Sequence, residues 1–177
     1  MDEAMLSCQW SILEHVMELI QAADAKATAA LAIDSLIAGF AFSAVSDLAG
    51  NSSGDPVSSA LEPFASVVLV LGAVALFASL LCMLLCLIGR TGLIGSGQIE
   101  RPADTRIFFG RIVRYSREEY IALMAATTGD DLYSDISGQV HVLSQIADGK
   151  YRWLTTGYML LLAAMALSVV LSALVFF

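Results

Sequence analysis

Three long apolar runs set the hydrophobic pattern of this chain, at residues 27–48, 64–89 and 153–177. Each run approaches or exceeds the ~20 residues that an α-helix needs to cross about 30 Å of hydrocarbon. The pattern therefore predicts an all-α membrane protein with three transmembrane helices, which we call TM1, TM2 and TM3 in that order.

The segment before TM1 predicts an amphipathic helix. Its apolar residues recur at spacings of four and three, which is the period of one helix face. These residues are Leu6, Trp10, Leu13, Met17 and Ile20. No glycine precedes Gly39 and no proline precedes Pro56, so nothing interrupts the helix before the span. We expect one continuous helix from about residue 3 to 48, ~70 Å long at 1.5 Å per residue.

The segment before TM3 predicts a similar arrangement. A second apolar stripe consists of Leu132, Ile136, Val140, Leu143 and Ala147. We expect its helix to continue into TM3, with Gly138, Gly149 and Gly157 as weak points.

Local signals place the remaining boundaries. The run Ser116-Arg117-Glu118-Glu119 is a capping box, so a helix is expected to start at its second residue. Gly129 is expected to end that helix, and Pro63 is expected to start TM2. The segment 107–113 is β-prone and predicts a short strand or a packed loop.

The basic residues predict how the chain is oriented. Eight of the nine Lys and Arg residues lie within 90–152, whereas the loop 49–63 has none. Because basic residues near membrane helices stay on the cytoplasmic side, the N-terminus and 90–152 are expected inside the cell. The loop 49–63 and the C-terminus are then periplasmic, and the protein is expected in the cell inner membrane.

The predicted organisation alternates between water and lipid. It comprises a cytoplasmic amphipathic helix at 1–26, TM1 at 27–48, a periplasmic loop at 49–63, TM2 at 64–89, a cytoplasmic sensor region at 90–152 and TM3 at 153–177. The two cytoplasmic parts are expected to form a small helical bundle, with two spans continuous with its helices.

Composition narrows the function. A content of 58% hydrophobic residues is too apolar for a soluble domain of 177 residues, and a net charge of −8 argues against nucleic-acid binding. The region 90–152 nevertheless carries eight acids and eight bases, so it could hold an anion locally. No nucleophile motif, phosphate-binding loop or metal-ligand spacing is present. We therefore expect no catalytic residues, no metal and no cofactor, and predict that the protein is not an enzyme.

Three motifs resemble the Pycsar transmembrane effector family. The first is Leu19-Ile20-x-x-Ala23-Asp24-x-Lys26-Ala27, and the second is Phe108-Phe109-Gly110 followed by Ser116-x-Glu118-Glu119-Tyr120. The third is Val142-Leu143-Ser144-x-Ile146-Ala147-x-x-Lys150-Tyr151, entering the last span. Their order, spacing and membrane arrangement agree with the family over nearly the whole chain. Asp34 departs from the family pattern, which has a neutral small or polar residue there.

The resemblance implies a role in bacterial antiphage defence. In this family a neighbouring pyrimidine cyclase makes cyclic CMP or cyclic UMP on infection, without implied direct contact. The effector responds to that nucleotide by damaging the inner membrane, which causes abortive infection. A homo-oligomer is expected, with cyclic CMP or cyclic UMP as the ligand.

The motifs place candidate ligand residues where two helices meet the membrane. Lys26 could hold a cyclic phosphate, and Asp24 could orient it or accept a ribose hydroxyl. Lys150, which Tyr151 follows, is expected at the same membrane depth as Lys26, so the two lysines could converge on one phosphate. The alternative is that these residues are ordinary interfacial anchors, with a lysine reaching to the headgroups.

Three further candidates lie in the sensor region. Arg106 could contact the ligand or lie on a solvated face that holds the region inside the cell. Phe109 and Tyr120 could stack on a pyrimidine, because a base offers its face to any aromatic ring. They could equally be core residues.

The first span carries an acid, Asp34, which is costly in lipid and usually faces the bundle interior or water. It could line a pore or a proton-accessible seam together with Ser35, Gly39 and Ser43. Alternatively, it is protonated and hydrogen-bonded to Ser35 or to a neighbouring helix. The small residues beside it allow close helix approach.

A second interpretation of the sequence comes from a different functional class. The apolar stripes also fit a constitutive membrane channel or a scaffold subunit that binds a cytoplasmic protein partner. The presence of an adjacent nucleotide cyclase gene would favour the effector interpretation.

Overall fold

The structure is a computed structural model that describes residues 3–50, 56–88 and 106–176. Within these ranges the chain forms α1 (Glu3–Gly50), α2 (Pro56–Ile88), α3 (Phe109–Ile112), α4 (Arg117–Ala125) and α5 (Gly129–Phe176). No strand occurs in the described ranges, so the all-α prediction is confirmed. Residues 51–55 of the predicted loop, Gly89 of predicted TM2 and 90–105 of the sensor region lie outside the described residues.

Two helices are long and continuous. α1 and α5 each contain 48 residues, which corresponds to about 72 Å. Three described helices are long and apolar enough to span a membrane, and α1 and α5 both extend well beyond the hydrocarbon thickness. The continuity of both helices is therefore confirmed, and the glycines of α5 do not interrupt it.

The structure confirms one local prediction and corrects two. The membrane-length part of α2 is Pro63–Ile88, so Pro63 starts TM2 as predicted. The helix itself begins earlier, at Pro56, because proline suits the first helical turn, where its missing N–H costs nothing. α4 ends at Ala125, and Gly129 begins α5 instead of ending α4. The residues expected to form a strand or loop at 107–113 contain the short helix α3.

Thr128 and Asp131 explain the start of α5. The Asp131 N–H donates to the Thr128 hydroxyl at 3.2 Å, and the Asp131 carboxylate accepts from the Thr128 N–H at 3.0 Å. This reciprocal pair satisfies N–H groups that have no partner inside the helix. The same arrangement joins Ser116 and Glu119 at α4, so the capping box predicted there is confirmed.

The chain divides into two compact units. The first combines 1–22 with 89–149, and the second combines 23–88 with 150–177. In the second unit, alanines at every third or fourth position of α1 are fully buried against α2 and α5. They are Ala23, Ala27 and Ala30. Their small side chains let helix backbones approach closely, which is how helices associate in lipid.

In the first unit the buried face of α1 shares Leu13 with the predicted stripe but is rotated from it. Leu13 and Val16 are buried, whereas Trp10 and Met17 are 45% and 41% exposed. Gln9 faces inward instead and donates from its amide to the Tyr133 hydroxyl at 3.2 Å. The spacing of three and four is as expected, but the face is rotated toward Gln9 and Val16.

Candidate functional site

An ion pair joins two of the predicted site residues at the end of the second unit. The Lys150 Nζ donates to Asp24 Oδ1. The Lys150 side chain is only 7% exposed, whereas that of Asp24 is 39% exposed. Lys150 lies between the buried residues Ala147 and Leu154, so its helical position directs it inward. Because a buried ammonium needs an anionic partner, its charge is already engaged within the protein.

Lys26 has the opposite environment. It is exposed, and its Nζ lies 5.8 Å from the centroid of the Tyr151 ring, within the range of a cation–π contact. The Lys26 carbonyl accepts a hydrogen bond from the Tyr158 hydroxyl at 3.2 Å. Lys26 forms no ion pair with any described acidic side chain.

These contacts define the boundary cluster, which consists of Asp24, Lys26, Lys150, Tyr151 and Tyr158. The structure brings together four predicted ligand residues and adds Tyr158. The two lysines differ in what they can do: Lys26 offers a solvent-facing cation beside an aromatic ring, and Lys150 is held by Asp24. The charges of Asp24 and Lys150 offset each other, so Lys26 supplies the cluster's remaining positive charge.

The other three predicted ligand residues belong to the first unit. The Arg106 Nη1 lies 3.5 Å from Asp131 and 3.6 Å from Asp135, and its backbone N–H donates to Asp135 at 3.0 Å. Arg106 is thus engaged with two carboxylates of α5. Tyr120 is half-buried on α4. Phe109 begins α3, but its side chain lies outside the described residues.

A buried polar cluster lies inside the membrane-spanning helices. Asp34 is 3% exposed and Ser79 is fully buried. The Ser79 Oγ lies 3.0 Å from Asp34 Oδ2 and 3.1 Å from the Gly157 carbonyl oxygen. A hydroxyl has one hydrogen to donate. Both contacts are satisfied if a protonated Asp34 donates to Ser79 and Ser79 donates to the Gly157 carbonyl.

The contact with Ser79 joins Asp34 to a neighbouring helix, as one of its two alternatives expects, and protonation of Asp34 stays a prediction. Ser35 does not take part, because its hydroxyl donates to the Leu31 carbonyl of its own helix. Ser35, Gly39 and Ser43 lie on the exposed surface of α1, while Asp34 faces the interior. Asp34 and Ser35 both line one apolar groove, whereas Gly39 and Ser43 are not among its lining residues.

An apolar groove of about 390 Å³ adjoins this polar cluster. Asp34, Ala38, Gly72 and Ser168 are among the residues of α1, α2 and α5 that line it. The second carboxylate oxygen of Asp34, Oδ1, is buried without a hydrogen-bond partner among the described residues.

Sequence reasoning missed Ser79, Gly157 and Tyr158 as members of these clusters. Ser79 gives the clearest signal, since it is a hydroxyl in the middle of an otherwise apolar run. Gly157 was considered only as a weak point, yet a Cβ there would lie 2.7 Å from Met83 Cε and 3.3 Å from Cys82 Cβ. Its role is to let α5 approach α2 closely.

Three membrane-length helices among the described residues, two of them with 48 residues each, define a multi-pass all-α membrane protein. Within that class the chain belongs to the Pycsar effector family, because the Pycsar effector protein domain matches residues 9–177. No curated protein and no solved structure matches the chain. The protein is thus a transmembrane effector of Pycsar antiphage defence.

Proposed function

We propose that this effector binds a cyclic pyrimidine mononucleotide, cyclic CMP or cyclic UMP, and responds by impairing the inner membrane, which causes abortive infection. It does so without catalysing a reaction, and a pyrimidine cyclase supplies the nucleotide without direct contact. The observation that carries this proposal is the exposed Lys26 ammonium beside the Tyr151 ring, next to the internally paired Lys150 and Asp24.

The chemistry of the boundary cluster matches a small cyclic phosphodiester. Lys26 can pair with the single negative charge of the cyclic phosphate. An aromatic ring such as Tyr151 offers a stacking surface for a pyrimidine. Asp24 retains exposed surface, so its carboxylate can accept a ribose hydroxyl.

The long helices supply a route from this cluster to the lipid. Residues 24–26 lie within α1, and residues 150–151 lie within α5. A ligand shifts a conformational equilibrium only if it binds one arrangement better than the other. A nucleotide that favours one spacing of these two helices changes the packing of their own spans, because no helix break intervenes. Assembly of several copies in the inner membrane then produces the damage.

Binding to purified protein in detergent tests the proposal. We expect cyclic CMP or cyclic UMP, but not cyclic AMP or cyclic GMP, to raise the thermal unfolding midpoint. Lys26→Ala should weaken binding about tenfold or more, since a hydrogen bond to a charged group contributes about 1.5–3 kcal/mol. Arg152→Ala is the matched control: it removes an exposed cation from the same boundary and should change binding less than about twofold.

Failure of all four nucleotides to shift the midpoint would refute the sensing proposal. The membrane response is tested separately by dye release from liposomes, which should require the nucleotide. Release without nucleotide would instead support a constitutive channel. The second candidate function is a scaffold that binds a protein partner. The exposed apolar side chains of Trp10 and Met17 on α1 favour it, because a partner could cover them.

A further inference from the structure

The first unit exposes apolar side chains that lipid does not cover. In the second unit, exposed apolar residues face the membrane and need no other partner. The segment 3–22 carries Glu3, Glu14, His15 and Glu18, so it cannot lie in hydrocarbon. Its exposed Trp10 and Met17 therefore require a protein partner or remain in water.

On α1 these apolar side chains share a face with acids. Trp10, Glu14, Met17 and Glu18 follow the spacing i, i+4, i+7, i+8, which places them on one side of a helix. Glu14 forms no ion pair among the described residues, and Glu18 approaches only His15, at 3.7 Å. We call these four residues the acidic face.

A second exposed surface carries the opposite charge. Val113 is 82% exposed and Ile121 is 57% exposed. Arg114 follows Val113 in sequence, and Arg117 lies one turn before Ile121 on α4; both arginines are exposed and form no ion pair among the described residues. We call these four residues the basic face. Arg117 and Ile121 are one turn apart on α4, and Glu118 lies at the edge of this face, about 100° from Arg117 and about 60° from Ile121.

The two faces complement each other but do not cover each other within one chain, since both are exposed. We propose that a second copy of this chain covers each of them, with the acidic face of one copy on the basic face of the next. Apolar contact between Trp10 or Met17 and Val113 or Ile121 would be framed by Glu–Arg pairs. This proposal rests on the proposed function in one respect, that assembly accompanies membrane damage.

The form of this contact constrains the assembly. Two copies can pair reciprocally about a two-fold axis. If each copy instead uses its two faces on two different neighbours, the interface is heterologous, and its repeated use gives a ring or an open array. Copies inserted in one membrane share their orientation, so the symmetry axis of a ring must run along the membrane normal. A ring of this kind surrounds lipid or a central opening.

Disulfide cross-linking between differently tagged full-length copies in native membranes tests the interface. In a Cys8→Ser background, one copy carries Glu14→Cys and the other carries Arg117→Cys. Oxidation should yield a disulfide-linked pair containing both tags. The matched control pairs a copy that retains Cys8 with the Arg117→Cys copy. Cys8 is exposed on α1 but lies about 120° away from Glu14 round the helix, and it should not cross-link.

Charge reversal provides a second test. Glu14→Arg with Glu18→Arg should abolish assembly in detergent, and so should Arg114→Glu with Arg117→Glu. All four changes in one chain should restore it. The proposed interface would be overturned by any of three results. The mixed disulfide could fail to form, the Cys8 pair could give an equal yield of disulfide, or the charge-reversed variants could assemble as the unchanged protein does. Circular dichroism checks that each reversed variant remains helical, and the cross-linking pair tests the interface independently of those variants.

The same samples separate this inference from the sensing proposal. Nucleotide binding without the mixed disulfide rejects the interface and leaves sensing in place. A mixed disulfide without binding of any cyclic nucleotide rejects sensing and leaves the interface in place.

Discussion

The two lysines of the boundary cluster have the same side-chain chemistry but different environments. Lys150 is buried and held by Asp24, whereas Lys26 is exposed beside Tyr151. An amine that is already paired and desolvated has little left to offer a ligand. The exposed amine of Lys26 keeps its charge available to a ligand, which is why the proposed function rests on it.

The buried pair predicts an asymmetric response to mutation. Asp24→Ala leaves an unpaired ammonium among apolar neighbours, whereas Lys150→Met removes the charge and keeps the volume. Breaking a fully buried pair costs about 3–5 kcal/mol, and the effect here is smaller because Asp24 is partly solvated. We expect Asp24→Ala to lower the thermal unfolding midpoint in detergent clearly more than Lys150→Met does. Equal effects would show that Lys150 can reach solvent when its partner is lost.

The buried hydroxyl of Ser79 predicts a second residue-scale effect. Ser79→Ala removes the donor to the Gly157 carbonyl and the partner of Asp34. We expect a loss of about 1–2 kcal/mol by thermal unfolding, the usual cost of unpaired buried polar groups. Asp34→Asn should be nearly neutral, because an amide can donate to Ser79 as a protonated acid does.

Ser35→Ala is the control for Ser79→Ala, since Ser35 is exposed and bonds only to its own helix. A large loss from Asp34→Asn would contradict the protonated assignment.

At the scale of elements, two carboxylates hold the starts of helices in the first unit. Hydrogen bonds from Ser116, through its backbone first and then its side chain, lower the pKa of Glu119 below its ordinary value of 4.5. Hydrogen bonds from Thr128, side chain first, lower the pKa of Asp131 below 3.8, and Arg106 adds to this effect. A lowered folded pKa means that ionisation stabilises the folded state.

This stabilisation is complete above the ordinary pKa and is lost as the pH falls through the lowered folded value. We expect Ser116→Ala to destabilise α4 by about 1 kcal/mol, as loss of a helix cap does. Carbon-13 NMR should show the Glu119 pKa rising toward 4.5 in this variant, because one hydrogen-bonding group is lost. Ser144→Ala, which removes a mid-helix hydroxyl on α5, is the control and should leave both measurements unchanged.

The register of α1 shows what the sequence can and cannot predict about an element. The helix, its length and its period follow from the spacing of apolar residues, and the structure has all three. The buried face depends on a choice between Trp10 with Met17 and Gln9 with Val16, which periodicity alone cannot make. The hydrogen bond from Gln9 to Tyr133 helps to fix that choice, and it joins residues 124 apart in sequence.

The boundary cluster was predictable for a different reason. Asp24, Lys26, Lys150 and Tyr151 each lie where a helix reaches its span, and equal depth predicts proximity. Which lysine pairs with Asp24 is not visible in the sequence. It depends on Lys150 occupying an inward position between Ala147 and Leu154, which the helix packing decides.

At the scale of the whole molecule, the three cysteines allow the orientation to be measured. Cys82 and Cys86 are buried in α2, whereas Cys8 is exposed on α1. The excess of basic residues in 90–152 predicts a cytoplasmic N-terminus. We therefore expect a membrane-impermeant maleimide to label Cys8 in inside-out vesicles but not in intact spheroplasts.

Ser53→Cys in a Cys8→Ser background provides the matched control for this measurement. It lies in the segment predicted to be periplasmic, so it should show the reverse labelling. Labelling of Cys8 from outside would place the first unit in the periplasm and contradict cytoplasmic sensing.

The unbroken length of α1 has a consequence for temperature. The burial of Leu13 and Val16 in the first unit is stabilised by the hydrophobic effect, and this stabilisation weakens on cooling. The alanines at 23, 27 and 30 pack among apolar spans, where close atomic contact rather than expulsion of water holds helices together. Two kinds of interaction with different temperature dependence therefore stabilise the packing of α1. On cooling, we expect the packing of α1 in the first unit to weaken more than its packing among the membrane-spanning helices.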